Sequence, residues 1–185
     1  MKKQEPLRQF VHIIAGLFFL VFFLMFGRVP LILLAFSLLV GGSLIIHFKL
    51  IGNHLPIIHD IGDRLERPDA RIPGWGPALY LIAILMVATV LSDSAKIAVG
   101  IIILGISDGA STLIGIHGTH RLPYNARKTI EGSTAFFVTS IFGYFFIGVP
   151  IIPLALLTTF IEGIDTSIDD NLLVPFIATV YLFFF

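Results

Sequence analysis

One carboxylate, Asp108, lies inside a long apolar segment of the 185-residue chain, within the small and polar run 107–112. At helical spacing, Asp108, Ser111, Thr112 and Gly115 share one face. Burying a carboxylate in hydrocarbon is costly, so this residue indicates a functional site. The competing explanation is a polar contact between helices that small residues bring close together. A carboxylate flanked by glycine and hydroxyls suits Mg²⁺, which takes few protein carboxylates and otherwise binds water and substrate phosphates.

A second polar run follows this segment. Gly115 and Gly118 precede the sequence Arg127-Lys128-Thr129-Ile130-Glu131-Gly132-Ser133, which enters the next apolar segment. Glycine, lysine, threonine and backbone amides at a helix entry can hold phosphate oxygens. The spacing G-x-x-x-x-G-K-[ST] is absent, which excludes a Walker-type loop. Arg127 and Lys128 alone would fit anchoring at the membrane surface, but an anchor has no need of the Thr-x-Glu-Gly sequence.

Three other polar features stand near apolar segments. The run 63–67, Asp-Arg-Leu-Glu-Arg, alternates in sign, which is also typical of a solvated amphipathic turn. The run Asp165-x-Ser167-x-Asp169-x-Asn171 resembles the start of a calcium loop, but Asp170 at position six and Phe176 at position twelve replace the glycine and glutamate that an EF-hand requires. His12 follows Arg8 by one helical turn at the first membrane entry, where an interfacial polar contact competes with a functional role.

Seven apolar segments must position these residues, and we interpret them as membrane-spanning helices, although the sixth is short and the last, with 14 residues, could be a half-span. The segments are Phe10–Phe26, Leu31–Phe48, about Gly76–Leu91, about Lys96–His117, about 132–148, about 150–161 and Leu172–Phe185. Pro150 and Pro153 divide the fifth segment from the sixth. We therefore predict an all-α, polytopic helical membrane protein with about seven spans and short loops, forming a single domain over residues 1–185.

The composition agrees with a membrane protein. Hydrophobic residues make up 56% of the chain and charged residues 13%, against about 25% charged in an average soluble domain. So little charge excludes a disordered chain and a nucleic-acid-binding protein. With 0 cysteines, a disulfide framework, a zinc ribbon and an iron–sulfur cluster are also excluded.

The few charges are unevenly distributed. If the N-terminus is cytoplasmic and the spans number seven, ten of the 12 lysines and arginines fall on the cytoplasmic side, opposite Arg28 and Lys96. This bias predicts the orientation. Ten of the 12 acidic residues fall on the same side. A cytoplasmic active face explains the shared location, although a solvated loop face remains the alternative.

Together these motifs resemble the CTP-dependent lipid kinase family, which includes dolichol kinase, CTP-dependent diacylglycerol kinase and phytol or farnesol kinase. The N-terminal part of the resemblance consists of Arg8-Gln9-x-x-His12, where the family has Arg-Lys-x-x-His, followed by Arg64-x-Glu66 and Gly76-Pro77-x-x-Tyr80. The most specific part is Ser107-Asp108-Gly109-Ala110 with the later Lys128-Thr129-x-Glu131-Gly132-Ser133. The family has Gly-Asp-x-x-Ala and Lys-Thr-x-Glu-Gly-Ser there. Glu162, Asp170-Asn171 and Pro175 resemble its C-terminal motif.

The resemblance implies phosphoryl transfer from a nucleotide, typically CTP, to the hydroxyl of a membrane lipid alcohol, with a polyprenol- or dolichol-type substrate favoured. Mg²⁺ or another divalent cation is the implied cofactor, and the oligomeric state is open. The implied catalytic residues are Asp108, Glu66 and Glu131, and the implied metal ligands are Asp108 with Glu131 or Asp170. The implied nucleotide- and phosphate-binding residues are Arg64, Arg67, Gly115, Gly118, Lys128, Thr129, Gly132, Ser133 and Asn171. His12 and Glu162 are expected in the polar wall of the site.

Two other functions compete with this one. A lipid cytidylyltransferase would also place acidic and basic residues at a cytoplasmic site, and it would transfer label from the α-phosphate of CTP rather than from the γ-phosphate. A small transporter would place ionisable groups near the bilayer midplane, often within inverted repeats. The sequence has no internal repeat, and Asp108 is its one clearly intramembrane acid.

Overall fold

A computed structural model describes residues 5–52 and 73–185. Helix α1 (Glu5–Phe26) and helix α2 (Arg28–Leu50) are separated by a single residue, Gly27. Its φ of +83° lies in the left-handed region, which glycine adopts at no steric cost. Gly27 therefore ends α1 and lets the chain reverse into the predicted helical hairpin.

Helix α3 (Trp75–Val90) leads through a short turn into helix α4 (Ser94–Gly115). Asp93 caps α4, because its side chain accepts hydrogen bonds from the backbone amides of Ala95 and Lys96. Residues Ile102–Ser107 form a π-helical turn inside α4, immediately before Asp108. Such turns are rare and occur frequently at functional sites.

The polar loop after α4 contains a short antiparallel β-hairpin, with strands β1 (Arg121–Leu122) and β2 (Asn125–Thr129). Helix α5 (Ile130–Ile147) follows directly and tightens to a 3₁₀ turn at Ile141–Gly143. The hairpin is an addition to the predicted all-α fold. Its alternating residues are too few to have been distinguished from a loop by periodicity.

Helix α6 (Ile151–Gly163) and helix α7 (Asp170–Phe184) complete the chain. The predicted interruption before Pro150 is confirmed, since α5 ends at Ile147 and Gly148 adopts a φ of +68°.

Among the described residues, four helices are long and apolar enough to cross a membrane: Pro6–Phe26, Arg28–Leu50, Ser94–Gly115 and Ile130–Ile147. Helices α3, α6 and α7 are apolar but have only 16, 13 and 15 residues. The predicted helical membrane architecture is therefore supported, whereas the structure supports four full-length spans rather than seven.

Helix α4 is the centre of the bundle. In its most apolar window 72% of the residues are buried, compared with 11% in α2, and it packs against α1, α3, α5 and α7. The backbones of α1 and α4 touch where Gly16 meets Gly105, since a Cβ on Gly105 would lie 2.5 Å from the Gly16 Cα. Small residues therefore bring the two helices together, as the packing explanation for this segment requires. That packing fixes the position of Asp108.

Candidate active site

Three carboxylates from three helices meet at one end of the bundle. Asp108 begins the last two turns of α4, Glu162 lies at the end of α6, and Asp170 begins α7. One oxygen atom from each of these side chains lies within 4.8 Å of the others. Glu162 is fully buried and Asp108 is 9% exposed. We call Asp108, Glu162 and Asp170 the carboxylate triad.

Lys128 from strand β2 reaches into the triad. Its Nζ donates hydrogen bonds to Glu162 Oε1 at 2.5 Å and to Asp170 Oδ2 at 2.8 Å. Neighbouring Arg127 is exposed on the other face of the strand, with its NH1 atom 3.4 Å from Asp165 Oδ1. The alternation of a β-strand therefore sends one cation into the site and the next toward solvent.

Electrostatics favour the charged form of Lys128. Burial alone would lower the pKa of the ammonium, but the carboxylates of Glu162, Asp170 and Asp108 outweigh burial and raise the pKa above its ordinary value. Three carboxylates against one ammonium leave a formal charge of −2 on this cluster. A buried negative charge of this size is costly unless a further cation balances it.

The contacts of Glu162 provide a second indication that these residues suit a cation. Its Oε1 accepts hydrogen bonds from Lys128 and, at 2.9 Å, from the hydroxyl of Ser111. Its buried Oε2 has no hydrogen-bond partner among residues 5–52 and 73–185. Buried carboxylate oxygens are normally satisfied. The donor set, three carboxylates with one unsatisfied oxygen, fits a hard divalent cation such as Mg²⁺.

His12 contacts Asp108 from the opposite side, on α1. Its Nε2 lies 3.1 Å from the carbonyl oxygen of Leu104, in the π-helical turn, and 3.4 Å from Asp108 Oδ2. The Tyr80 ring packs edge-on against the imidazole, with ring centroids 4.6 Å apart. The predicted place of His12 in the polar wall thus corresponds to a direct contact with Asp108 and with the turn that positions it.

Thr129 joins the glycine-rich loop to the start of α5. Its hydroxyl oxygen accepts a hydrogen bond from the Gly132 amide at 3.1 Å and lies 3.4 Å from the Gly115 carbonyl oxygen. A Cβ on Gly118 would lie 2.6 Å from the same hydroxyl oxygen. The glycines expected at a phosphate cradle are therefore needed here for close packing around the cap of α5.

Glu131 lies outside the carboxylate triad. Its carboxylate accepts hydrogen bonds from the amides of Thr119 and His120, at 3.0 and 3.1 Å, and Oε1 lies 2.7 Å from His120 Nδ1. These contacts brace the loop before the hairpin. The implied metal role of Glu131 stays a prediction, with this structural role beside it.

The other expected residues are placed as follows. The Ser133 hydroxyl is buried without a hydrogen-bond partner in the described part of the chain. Asn171 is 7% exposed in the first turn of α7, next to Asp170. Arg64, Glu66 and Arg67 lie outside the described residues.

Sequence reasoning expected Glu162 only in the wall of the site, and it assigned no contact to Ser111. The available signal for Ser111 was its place three residues after Asp108, on the same helical face. No local signal joins Glu162 to Asp108, because the pair is brought together by the packing of α4, α5 and α6.

Comparison with known proteins gives two informative matches. The chain is 31% identical over 178 residues to an uncharacterized protein of Methanocaldococcus jannaschii, MJ1137, a match that covers 95% of this chain and 91% of that protein. It is 30% identical over 192 residues to chloroplastic farnesol kinase of Arabidopsis thaliana, covering 91% of this chain but only 62% of the plant enzyme. No family model and no solved structure matches the chain. The match along nearly the full length of both sequences shows that this chain belongs to the same protein family as MJ1137.

Proposed function

We propose that this protein is a membrane-embedded kinase that transfers the γ-phosphoryl group of CTP to the hydroxyl of an isoprenoid-type lipid alcohol. The observation that carries the proposal is the carboxylate triad with Lys128 held against it. Similarity to the plant farnesol kinase supports the kinase class. CTP as donor, a polyprenol- or dolichol-type acceptor and a cytoplasmic active face are parts of the same proposal.

The arrangement suits phosphoryl transfer, in which catalysis consists mostly of positioning and of stabilising charge. The acceptor hydroxyl oxygen forms a bond to the γ-phosphorus while the bond to the β–γ bridging oxygen breaks. The hydroxyl proton passes to a carboxylate at the site, and the products are a lipid phosphate and CDP. A divalent cation, when bound, would neutralise charge on the phosphate oxygens. The residues that would hold it are Asp108, Glu162 and Asp170.

Lys128 and the positive end of the α5 dipole would attract the nucleotide phosphates. Lys128 is a flexible cation that can follow a phosphate oxygen, and α5 begins at Ile130, two residues after it. His12 Nε2, 3.4 Å from Asp108 Oδ2, would help to hold that carboxylate in place. The outer faces of the helices around α4 expose apolar side chains to the surroundings. A lipid alcohol would therefore approach Asp108 from the bilayer, between these helices.

The test is a labelled-product assay with the purified full chain in lipid nanodiscs. CTP labelled at the γ-phosphate and CTP labelled at the α-phosphate are each incubated with a panel of farnesol, geranylgeraniol, polyprenol, dolichol and diacylglycerol. The proposal expects lipid labelled from the γ position only. Label from the α position would identify a cytidylyltransferase, and CTP-independent uptake of a solute with no labelled lipid would identify a transporter. Replacing CTP with ATP, UTP or GTP decides the donor.

A further inference from the structure

Lys128 occupies the coordination space of the carboxylate triad. Its Nζ contacts Glu162 Oε1 and Asp170 Oδ2 at 2.5 and 2.8 Å, and both side chains belong to the triad. Mg²⁺ binds carboxylate oxygens at about 2.0–2.1 Å. An ammonium on two of the three carboxylates therefore competes with such a cation for the same oxygens, and their like charges repel each other.

The position of Lys128 also allows its side chain to move away from the triad. The Lys128 side chain is 25% exposed, whereas that of Glu162 is 1% exposed. The lysine therefore lies nearer the surface and has more room to move than the carboxylate. The side chain projects from strand β2, immediately before Thr129 and the amides at the start of α5. A triphosphate bound beside the start of α5 would offer the ammonium a stronger anionic partner outside the triad.

We propose that Lys128 is an exchangeable counter-ion: it partly neutralises the carboxylate triad in the absence of substrate and releases the triad when nucleotide phosphates bind its ammonium. The inference rests on the proposed function, because it assigns a regulatory step to the same site. Its consequence is that metal and nucleotide bind cooperatively. By linkage, CTP increases the affinity for the metal by the same factor as the metal increases the affinity for CTP.

The unsatisfied Glu162 Oε2 supports this exchange. Lys128 and Ser111 both contact Oε1, and Oε2 is left without a hydrogen-bond partner in the described part of the chain. A single ammonium thus balances the triad only in part, with a formal charge of −2 remaining. Lys128 thus reduces the electrostatic repulsion among the three carboxylates, and the remaining negative charge still attracts a divalent cation.

The experiment measures Mn²⁺ binding by electron paramagnetic resonance to the full chain in nanodiscs without lipid alcohol, so that no turnover occurs. The variant Lys128→Met keeps the length of the side chain and removes its charge. We expect Lys128→Met to bind Mn²⁺ about 5- to 50-fold more tightly than wild type in the absence of nucleotide. In wild type, CTP should tighten Mn²⁺ binding by about 5- to 150-fold, and in Lys128→Met this enhancement should be smaller, because only the direct attraction between the metal and the phosphates remains.

Arg127→Met is the matched control, because it removes a neighbouring cation that faces Asp165 and solvent. It should bind Mn²⁺ as wild type does, with the nucleotide enhancement intact. Lys128→Gln repeats the test if the methionine variant does not fold, as judged by thermal unfolding. Adding Asp108→Asn to wild type or to a Lys128 variant should abolish high-affinity Mn²⁺ binding.

Unchanged or weaker Mn²⁺ binding in the folded Lys128 variants would overturn the inference, and so would a nucleotide enhancement in these variants as large as that of wild type. Absence of lipid phosphorylation by wild type with every alcohol and nucleotide in the panel would instead overturn the proposed function. The two failures are distinguishable, since metal affinity is measured without acceptor lipid.

Discussion

Ser111 on α4 donates a hydrogen bond to Glu162 on α6 over 2.9 Å, and both groups are buried. The bond joins residues 51 positions apart in the chain, and it orients the carboxylate whose other oxygen is unsatisfied among the described residues. The Ser111 hydroxyl therefore orients the Glu162 carboxylate relative to Asp108 and Asp170.

Replacing Ser111 with alanine should loosen that orientation without removing a charge. We expect Ser111→Ala to weaken Mn²⁺ binding by about 3- to 10-fold. This is less than the roughly 10- to 150-fold that corresponds to a full hydrogen bond to a charged group, about 1.5–3 kcal/mol, because Lys128 retains its own contact with the carboxylate. Ser111→Thr, which keeps the hydroxyl, is the matched control. Equal metal affinity in all three proteins would show that Ser111 has no orienting role.

Removing the charge of Asp108 tests the centre of the site. Asp108→Asn should lower the turnover of lipid alcohol by about 10²–10³-fold or more, because charge stabilisation is lost at the reacting phosphate. The variant should remain folded and extractable in detergent, as checked by size-exclusion chromatography. Asp165→Asn, which changes an exposed carboxylate paired with Arg127, should keep nearly full turnover. Retained turnover in Asp108→Asn would remove Asp108 from the mechanism.

The raised pKa of Lys128 predicts how its contribution to stability depends on pH. A group whose folded pKa lies above its unfolded value contributes fully below the unfolded pKa, about 10.4 for lysine. That contribution is lost only as pH rises through the higher folded value. The difference in melting temperature between wild type and Lys128→Met should therefore stay constant from pH 6 to pH 9. A difference that shrinks steadily across this range would contradict the raised pKa.

The contact between Gly16 and Gly105 predicts the effect of one added methyl group. Gly105→Ala would place a Cβ 2.5 Å from the Gly16 Cα, and overpacking of this kind costs about 1–3 kcal/mol. We expect a lower melting temperature and, because α4 would shift away from α1, weaker metal binding at Asp108. Gly41→Ala is the matched control in a helix, since nothing lies within 4 Å of the added Cβ, and it should be neutral or slightly stabilising. Equal destabilisation by both changes would contradict the packing argument.

Much of this architecture follows from local patterns. Gly27 and Pro150 mark helix ends through the backbone preferences of glycine and proline, and the isolated charge of Asp108 in an apolar run identifies the centre of the site. Lys128 and Asp170 also stand out as polar residues at helix entries. These inferences need only the neighbours of each residue along the chain.

Other features depend on distant contacts and were not predictable in this way. Glu162 joins Lys128 across 34 positions and Asp170 joins it across 42, so their meeting is a result of helix packing. Glu131 matches the implied metal motif by type, yet in the fold its carboxylate braces the amides of Thr119 and His120.

The π-helical turn at Ile102–Ser107 also determines the direction in which Asp108 faces. A π turn contains one residue more than an α turn, so it is equivalent to an insertion that the helix has absorbed. Each residue turns an α-helix by about 100°. Without the extra residue, the half of α4 before the turn would keep its packing, and Asp108 would face a different neighbour. The turn thus separates two geometric requirements on one helix: the first half packs in the bundle, while the second half sets the direction of the Asp108 carboxylate.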